Sequence, residues 1–135
     1  MSAVGPGRHE ISAELNRLSF EVIGAAIEVH RVLGPGLLES IYEEALCIEL
    51  GLRSVPFVRQ PIMELAYKDH PLGQGRFDLL VGGELVVELK AVEKLIDIHT
   101  AQVLTYLRTT GRQLGLLINF SVPVLHDGIK RVVLT

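Results

Sequence analysis

Three ionisable side chains in residues 76–92, RFDLLVGGELVVELKAV, have the types and spacing to do chemistry: Asp78, Glu88 and Lys90. The stretch reads as two strands around Gly82-Gly83. Side chains alternate along a strand, so Glu88 and Lys90 share one face while Val87, Leu89 and Ala91 take the other. A charge buried without a partner is costly. Two carboxylates and an ammonium on mostly apolar strands therefore read as a binding site, most simply for a divalent cation. The plainer alternative is an ion pair joining Asp78 or Glu88 to Lys90 or Arg76. Register decides whether the acids meet. A two-residue turn at 82–83 sets Asp78 against Val87, with Glu88 on the opposite side. A three-residue loop, 82–84, sets Asp78 across from Glu88 on one face, and this loop or an equivalent bulge is the expectation.

The elements around this stretch must place it. Residues 1–10 are rich in Gly and Pro and read as a flexible N-terminus, leaving 11–135 as a single domain. Ile11, Leu15, Leu18, Val22, Ala26, Val29 and Leu33 recur at three- and four-residue steps, which predicts a helix ending at Gly34-Pro35-Gly36. His30 near its end can be a ligand or simply a partly exposed side chain beside a negative helix terminus. A second helix is expected over 36–49, closed by Gly51. Glu39, Tyr42 and Glu43 share one face of it. Glu39 suits the positive helix start, and Glu43 and Glu44 read as solvated surface. Residues 57–67 form a strand bent at Pro61, followed by strands at 75–81 and 84–92, an antiparallel three-stranded meander. A third helix spans 97–110, with Asp97 as N-cap and Gly111 as stop. His99, Gln102 and Tyr106 form a polar-aromatic stripe along it. LGLLINF, 114–120, is apolar enough for a strand buried on both faces, and 129–134 reads as the last strand.

The totals bound the function. The chain has 135 residues, 48% hydrophobic and 21% charged, so it can build one real core. A net charge of −3 and a pI near 5.9 argue against a strong non-specific nucleic-acid binder but allow a local basic patch. The single Cys47 cannot form an internal disulfide or a zinc cluster and is expected as a buried structural thiol. No signal-like segment or membrane-length apolar run is visible, so a cytoplasmic protein without membrane association is expected.

The order helix, helix, three strands, helix, strand, strand, with Asp78 and Glu88-Leu89-Lys90 on the meander, resembles the PD-(D/E)XK nuclease superfamily. Gly36-x-x-Glu39-x-x-Tyr42 resembles the motif of its GxxExxY branch. FDLLVGGELVVELKAVEKL, the His99–Gln102–Tyr106 stripe and LGLLINF extend the likeness across nearly the whole chain. The resemblance implies an α/β fold with a restriction-endonuclease-like core. Its mixed central sheet of about five strands, the antiparallel meander plus two further strands, would carry packed helices. It implies Mg²⁺ or Mn²⁺ held by Asp78, Glu88, the Leu89 carbonyl and Glu39, with Lys90 acting on the water and phosphate. It implies that Gln102 and Tyr106 hold the metal water or phosphate. Phe77 stands where the motif's proline would be, a departure the superfamily tolerates.

The function implied is a metal-dependent nuclease acting on nucleic acid, DNA in particular. The alternative is a catalytically inactive module of the same fold that binds nucleic acid or protein. Arg59, Lys68, Arg76, Lys94, Arg108 and Arg112 are the candidate phosphate contacts. A homodimer through the apolar first helix or the bent strand would enlarge a small binding surface.

Overall fold

A computed structural model describes residues 10–135; the expected flexible terminus lies almost wholly outside the described residues. α1, Ala13–Leu33, opens where Ser12 Oγ accepts the Leu15 N–H at 3.1 Å. Its stripe Leu15, Val22, Ala26 and Val29 is buried as the spacing predicts, and Gly34 caps it at φ 70°. α2 is Glu39–Leu52. It starts three residues later than expected, because residues 34–38 form a loop that leaves Leu38 extended as N-cap. Gly51 does not close it; the helix runs on to Leu52 and the chain turns at Arg53.

The strands are β1 (Phe57–Arg59), β2 (Ile62–Tyr67), β3 (His70–Arg76), β4 (Leu79–Val81), β5 (Leu85–Lys90), β6 (Leu114–Asn119) and β7 (Ile129–Val133). α3, Asp97–Thr110, lies between β5 and β6. The main sheet is mixed and five-stranded, in the order β1-β4-β5-β6-β7. β5 and β6 are parallel and joined through α3, and the other pairs are antiparallel. α1 and α2 pack on one face with Leu79, Val81, Leu85, Val87 and Leu89. α3 packs on the other with Val86, Leu117 and Val132. This is an α/β sandwich of the restriction-endonuclease-like kind.

The antiparallel three-stranded order stands as β1-β4-β5, but its first two strands are each split. The first and middle strands break at one level: Gln60 turns to φ 52° before Pro61, and Phe77-Asp78 lies between β3 and β4 opposite. Pro61 has no N–H to give a ladder. Beyond the break β2 and β3 form their own two-stranded sheet, with Ile62 facing Arg76. The kink leaves Asp78 at a bend between two sheets.

No helix among the described residues is long and apolar enough to cross a membrane. Cys47 is buried, and burial pushes its thiol above the usual range, as befits a structural thiol.

Candidate active site

The hairpin loop spans three residues. Val81 faces Leu85, Leu79 faces Val87, and the same frame sets Asp78 across from Glu88. Gly82 and Gly83 both take left-handed conformations, at φ 59° and 73°, and a Cβ on Gly82 would lie 2.7 Å from Leu18 Cδ1. Along β5, Leu85, Val87 and Leu89 point into the α1/α2 core, so Val86, Glu88 and Lys90 look toward α3.

Asp78 and Glu88 are joined by a reciprocal clasp. The Asp78 amide donates to Glu88 Oε1 at 3.1 Å, and the Leu89 amide donates to Asp78 Oδ2 at 2.7 Å. Each carboxylate thus receives a main-chain N–H of, or next to, the other acid. Burial, then the Glu88 charge, pushes Asp78 up to about 8. Burial also raises Glu88, against the opposing pull of Lys90. Lys90 Nζ lies 3.7 Å from Glu88 Oε2, so the ion pair weighed as the plainer reading exists as well. It does not neutralise the site, because two acids face one ammonium.

α3 supplies Tyr106 and Gln102. Tyr106 stacks on Phe77 with ring centres 5.6 Å apart. Burial first, then the charges of Glu88 and Asp78, raises its phenol to about 12, so it remains a proton donor. Gln102 Oε1 is, among the described residues, a buried side-chain acceptor with no hydrogen-bond partner. His99 belongs to the helix start instead: its Nδ1 accepts the Ile96 N–H at 3.0 Å. Ile96, not Asp97, is therefore the N-cap.

Glu39 lies in the first turn of α2, its carboxyl raised by burial, with Lys90 opposing and Glu43 reinforcing the shift. It does not close a three-acid cluster. Among the described residues no group of three His, Cys, Asp or Glu side chains is placed to hold a metal ion. The other motif residues have a structural part. Gly36 takes φ 101°, and the Tyr42 hydroxyl donates to the Gly34 carbonyl at 2.5 Å while accepting the Leu37 N–H at 3.1 Å. Tyr42 also stacks on Phe120, centres 4.5 Å apart. Together they fix the loop from which Glu39 starts its helix.

Two polar residues escaped the sequence reading. Glu43, expected on the surface, has a side chain only 5% exposed and pairs with Arg59 at 2.7 Å. Its position four residues after Glu39, on the same helix face, was the available signal. Asn119 is buried and binds both the Val92 N–H and the Val92 carbonyl, which holds the chain just past Lys90. A polar residue ending an apolar run was its only mark. His30 proves structural: its Nε2 donates to the Val122 carbonyl at 2.8 Å.

The donor set is all oxygen: a buried and a partly buried carboxylate with raised pKa values, with an unpartnered amide oxygen on α3, the helix that packs on the same sheet face. That chemistry fits a hard cation of the Mg²⁺ type, which commonly takes one or two carboxylates and keeps several waters. It does not fit a cation that needs an all-protein cage.

A mixed sheet carrying an acid, then Glu-x-Lys, between helices defines a nuclease-type α/β domain. A family model for the PD-(D/E)XK nuclease superfamily matches residues 16–132, and the chain belongs to that superfamily. No curated protein and no solved structure matches the chain.

Proposed function

We propose that this protein is a metal-dependent nuclease of the GxxExxY branch, hydrolysing phosphodiester bonds in DNA. The observation that carries the reading is the Asp78–Glu88 clasp: two acids held together on one sheet face, both raised chiefly by burial, beside a single lysine. Two carboxyls that burial keeps from ionising gain from a cation, which favours their charged form.

Asp78, Glu88 and the Leu89 carbonyl would hold Mg²⁺ or Mn²⁺, with Glu39 joined through a bound water. Leu89 can offer only its main chain, since its side chain is wholly buried in the core. The ion would supply a water acidic enough to attack at neutral pH and positive charge against the phosphate. Lys90 would orient the attacking water and offset the charge that develops on phosphate. Tyr106, kept protonated, would donate to a phosphate oxygen. Gln102 Oε1 would accept from a water in the site, which gives the orphaned acceptor its partner.

A second reading, a module of this fold that binds without turnover, is favoured by how the cations are used. Arg59 is gripped by Glu43 and Glu44, and Arg112 donates to the Gly83 and Thr110 carbonyls. Both guanidiniums are thus already engaged by oxygens of this chain. The helices also leave Phe20, Leu38 and Leu52 exposed at 77%, 73% and 76%, which suits a protein contact, a homodimer included.

Incubation with single-stranded, duplex and branched DNA and with RNA, in Mg²⁺ or Mn²⁺, separates the two. Cleavage that disappears in Glu88→Ala and Lys90→Ala supports the nuclease. Metal bound in a calorimetric titration, with every substrate left intact, supports the second reading.

A further inference from the structure

The geometry points to Glu43 as a positioning residue for Asp78, acting through the main chain of Gln60; its metal-binding consequence rests on the nuclease reading above. Glu43 Oε2 accepts from Arg59 Nε at 2.7 Å and from Gln60 Nε2 at 3.1 Å. One buried carboxylate on α2 thereby grips the last residue of β1 and the residue after it. Gln60 needs that grip. It stands at φ 52°, a conformation that side chains other than glycine rarely adopt and that persists where the surroundings enforce it. Pro61 follows and cannot help through a main-chain N–H.

The held conformation has a direct product. The Gln60 N–H donates to the Asp78 carbonyl at 2.7 Å. Asp78 is then fixed at three points by three different groups: its carbonyl by Gln60, its amide by Glu88 Oε1, its carboxylate by the Leu89 N–H. Only the first of these comes from outside the β4–β5 hairpin. The β1–β4 register, with Arg59 facing Leu79, carries on to Gln60 and Asp78, and the Gln60 contact is the last bond of that pairing, made where both strands break. Stability alone does not account for Glu43. A buried carboxylate recovers little net free energy from one ion pair, and an apolar side chain in its place would hold the helix as well. Neighbouring Glu44 binds the same arginine from the surface, at 2.7 Å through Nη1, without touching Gln60. It is a built-in control.

The test uses the full chain with Glu43→Ala, Glu43→Gln and Glu44→Ala. Amide hydrogen exchange is followed at Gln60 and Asp78 by NMR, and Mn²⁺ affinity by calorimetry. Glu43→Ala is expected to speed exchange at both amides and to weaken Mn²⁺ binding about tenfold or more, as loss of a supporting residue does at metal sites. Glu43→Gln still accepts hydrogen bonds and should recover most of both. Glu44→Ala should leave both near wild type. Wild-type exchange at Gln60 and Asp78 in Glu43→Ala, or an equal fall in Mn²⁺ affinity in Glu43→Ala and Glu44→Ala, overturns the proposal. Should wild type bind no Mn²⁺, the nuclease reading fails, while the exchange measurement still decides the positioning role. If Glu43→Ala does not fold, Gln60→Ala removes only the Nε2 link; unchanged exchange at Asp78 there also overturns it.

Discussion

The Asp78 amide donates to Glu88 Oε1 at 3.1 Å, so the acid on β5 holds the backbone of the acid across the hairpin. The hydrogen bonds of the clasp and Lys90, at 3.7 Å from Glu88, pull the two carboxyl pKa values down, but burial outweighs them. That imbalance sets the pH behaviour of the domain.

Asp78 has a folded-state pKa of about 8, above its ordinary 3.8, and Glu88 and Glu39 shift the same way. A raised carboxyl pKa means that the folded state binds protons more tightly than the unfolded chain. Its contribution to stability is full below the ordinary value and is lost as pH rises toward 8. In chelator, the thermal midpoint should fall across this window, and added Mg²⁺ should restore it most at the alkaline end. Asp78→Asn should flatten the profile and stabilise the chelated protein by about 0.5–2 kcal/mol at pH 8 while abolishing metal binding. A midpoint that rises with pH in chelator would contradict the charge arrangement.

Gln102 separates stability from function. Its Oε1 is buried with no partner, so Gln102→Met removes an unmet acceptor at little change in volume. Denaturant midpoints should stay within about 0.5 kcal/mol of wild type or rise. Cleavage rate should fall about tenfold or more if the amide holds a reacting water. Equal losses in both would make Gln102 merely structural.

Gly82 carries the loop that sets the register. Alanine there meets Leu18 at 2.7 Å and a left-handed backbone together, whereas Gly83 has open space and only the backbone penalty. Gly82→Ala should cost about 2–3 kcal/mol and Gly83→Ala about 1 kcal/mol, read from urea unfolding. Indistinguishable values would show that the Leu18 contact yields without strain.

Tyr42→Phe keeps the stack on Phe120 but removes the bonds to Gly34 and Leu37. The expected loss is about 1 kcal/mol, since a part-buried carbonyl and amide exchange their partner for water. Mn²⁺ affinity should fall far less than in Glu88→Ala, because the hydroxyl fixes the loop before Glu39 and touches neither Asp78 nor Glu88. A metal affinity lost as completely as in Glu88→Ala would place Tyr42 in the site itself.

Much of this was legible in the residues. The period-2 alternation of LVVELK put Glu88 and Lys90 on one face, and a three-residue loop or an equivalent bulge was needed to bring Asp78 to them; the register has the three-residue loop. The stripe of α1 and the apolar run of β6 depend on local spacing, and both stand where that spacing puts them. These features follow from which neighbours along the chain share a face, and sequence states that directly. The tertiary structure alone decided the rest. Glu43 and Glu44 look alike in sequence, yet one is buried because Arg59, sixteen positions on, and Gln60 reach it. The break at Asp78 lies opposite Gln60 and Pro61 on the neighbouring strand, and the Gln60 N–H binds the Asp78 carbonyl. In each case the cost of burying a polar group is met by a partner distant in the chain, and only the folded molecule brings that partner near.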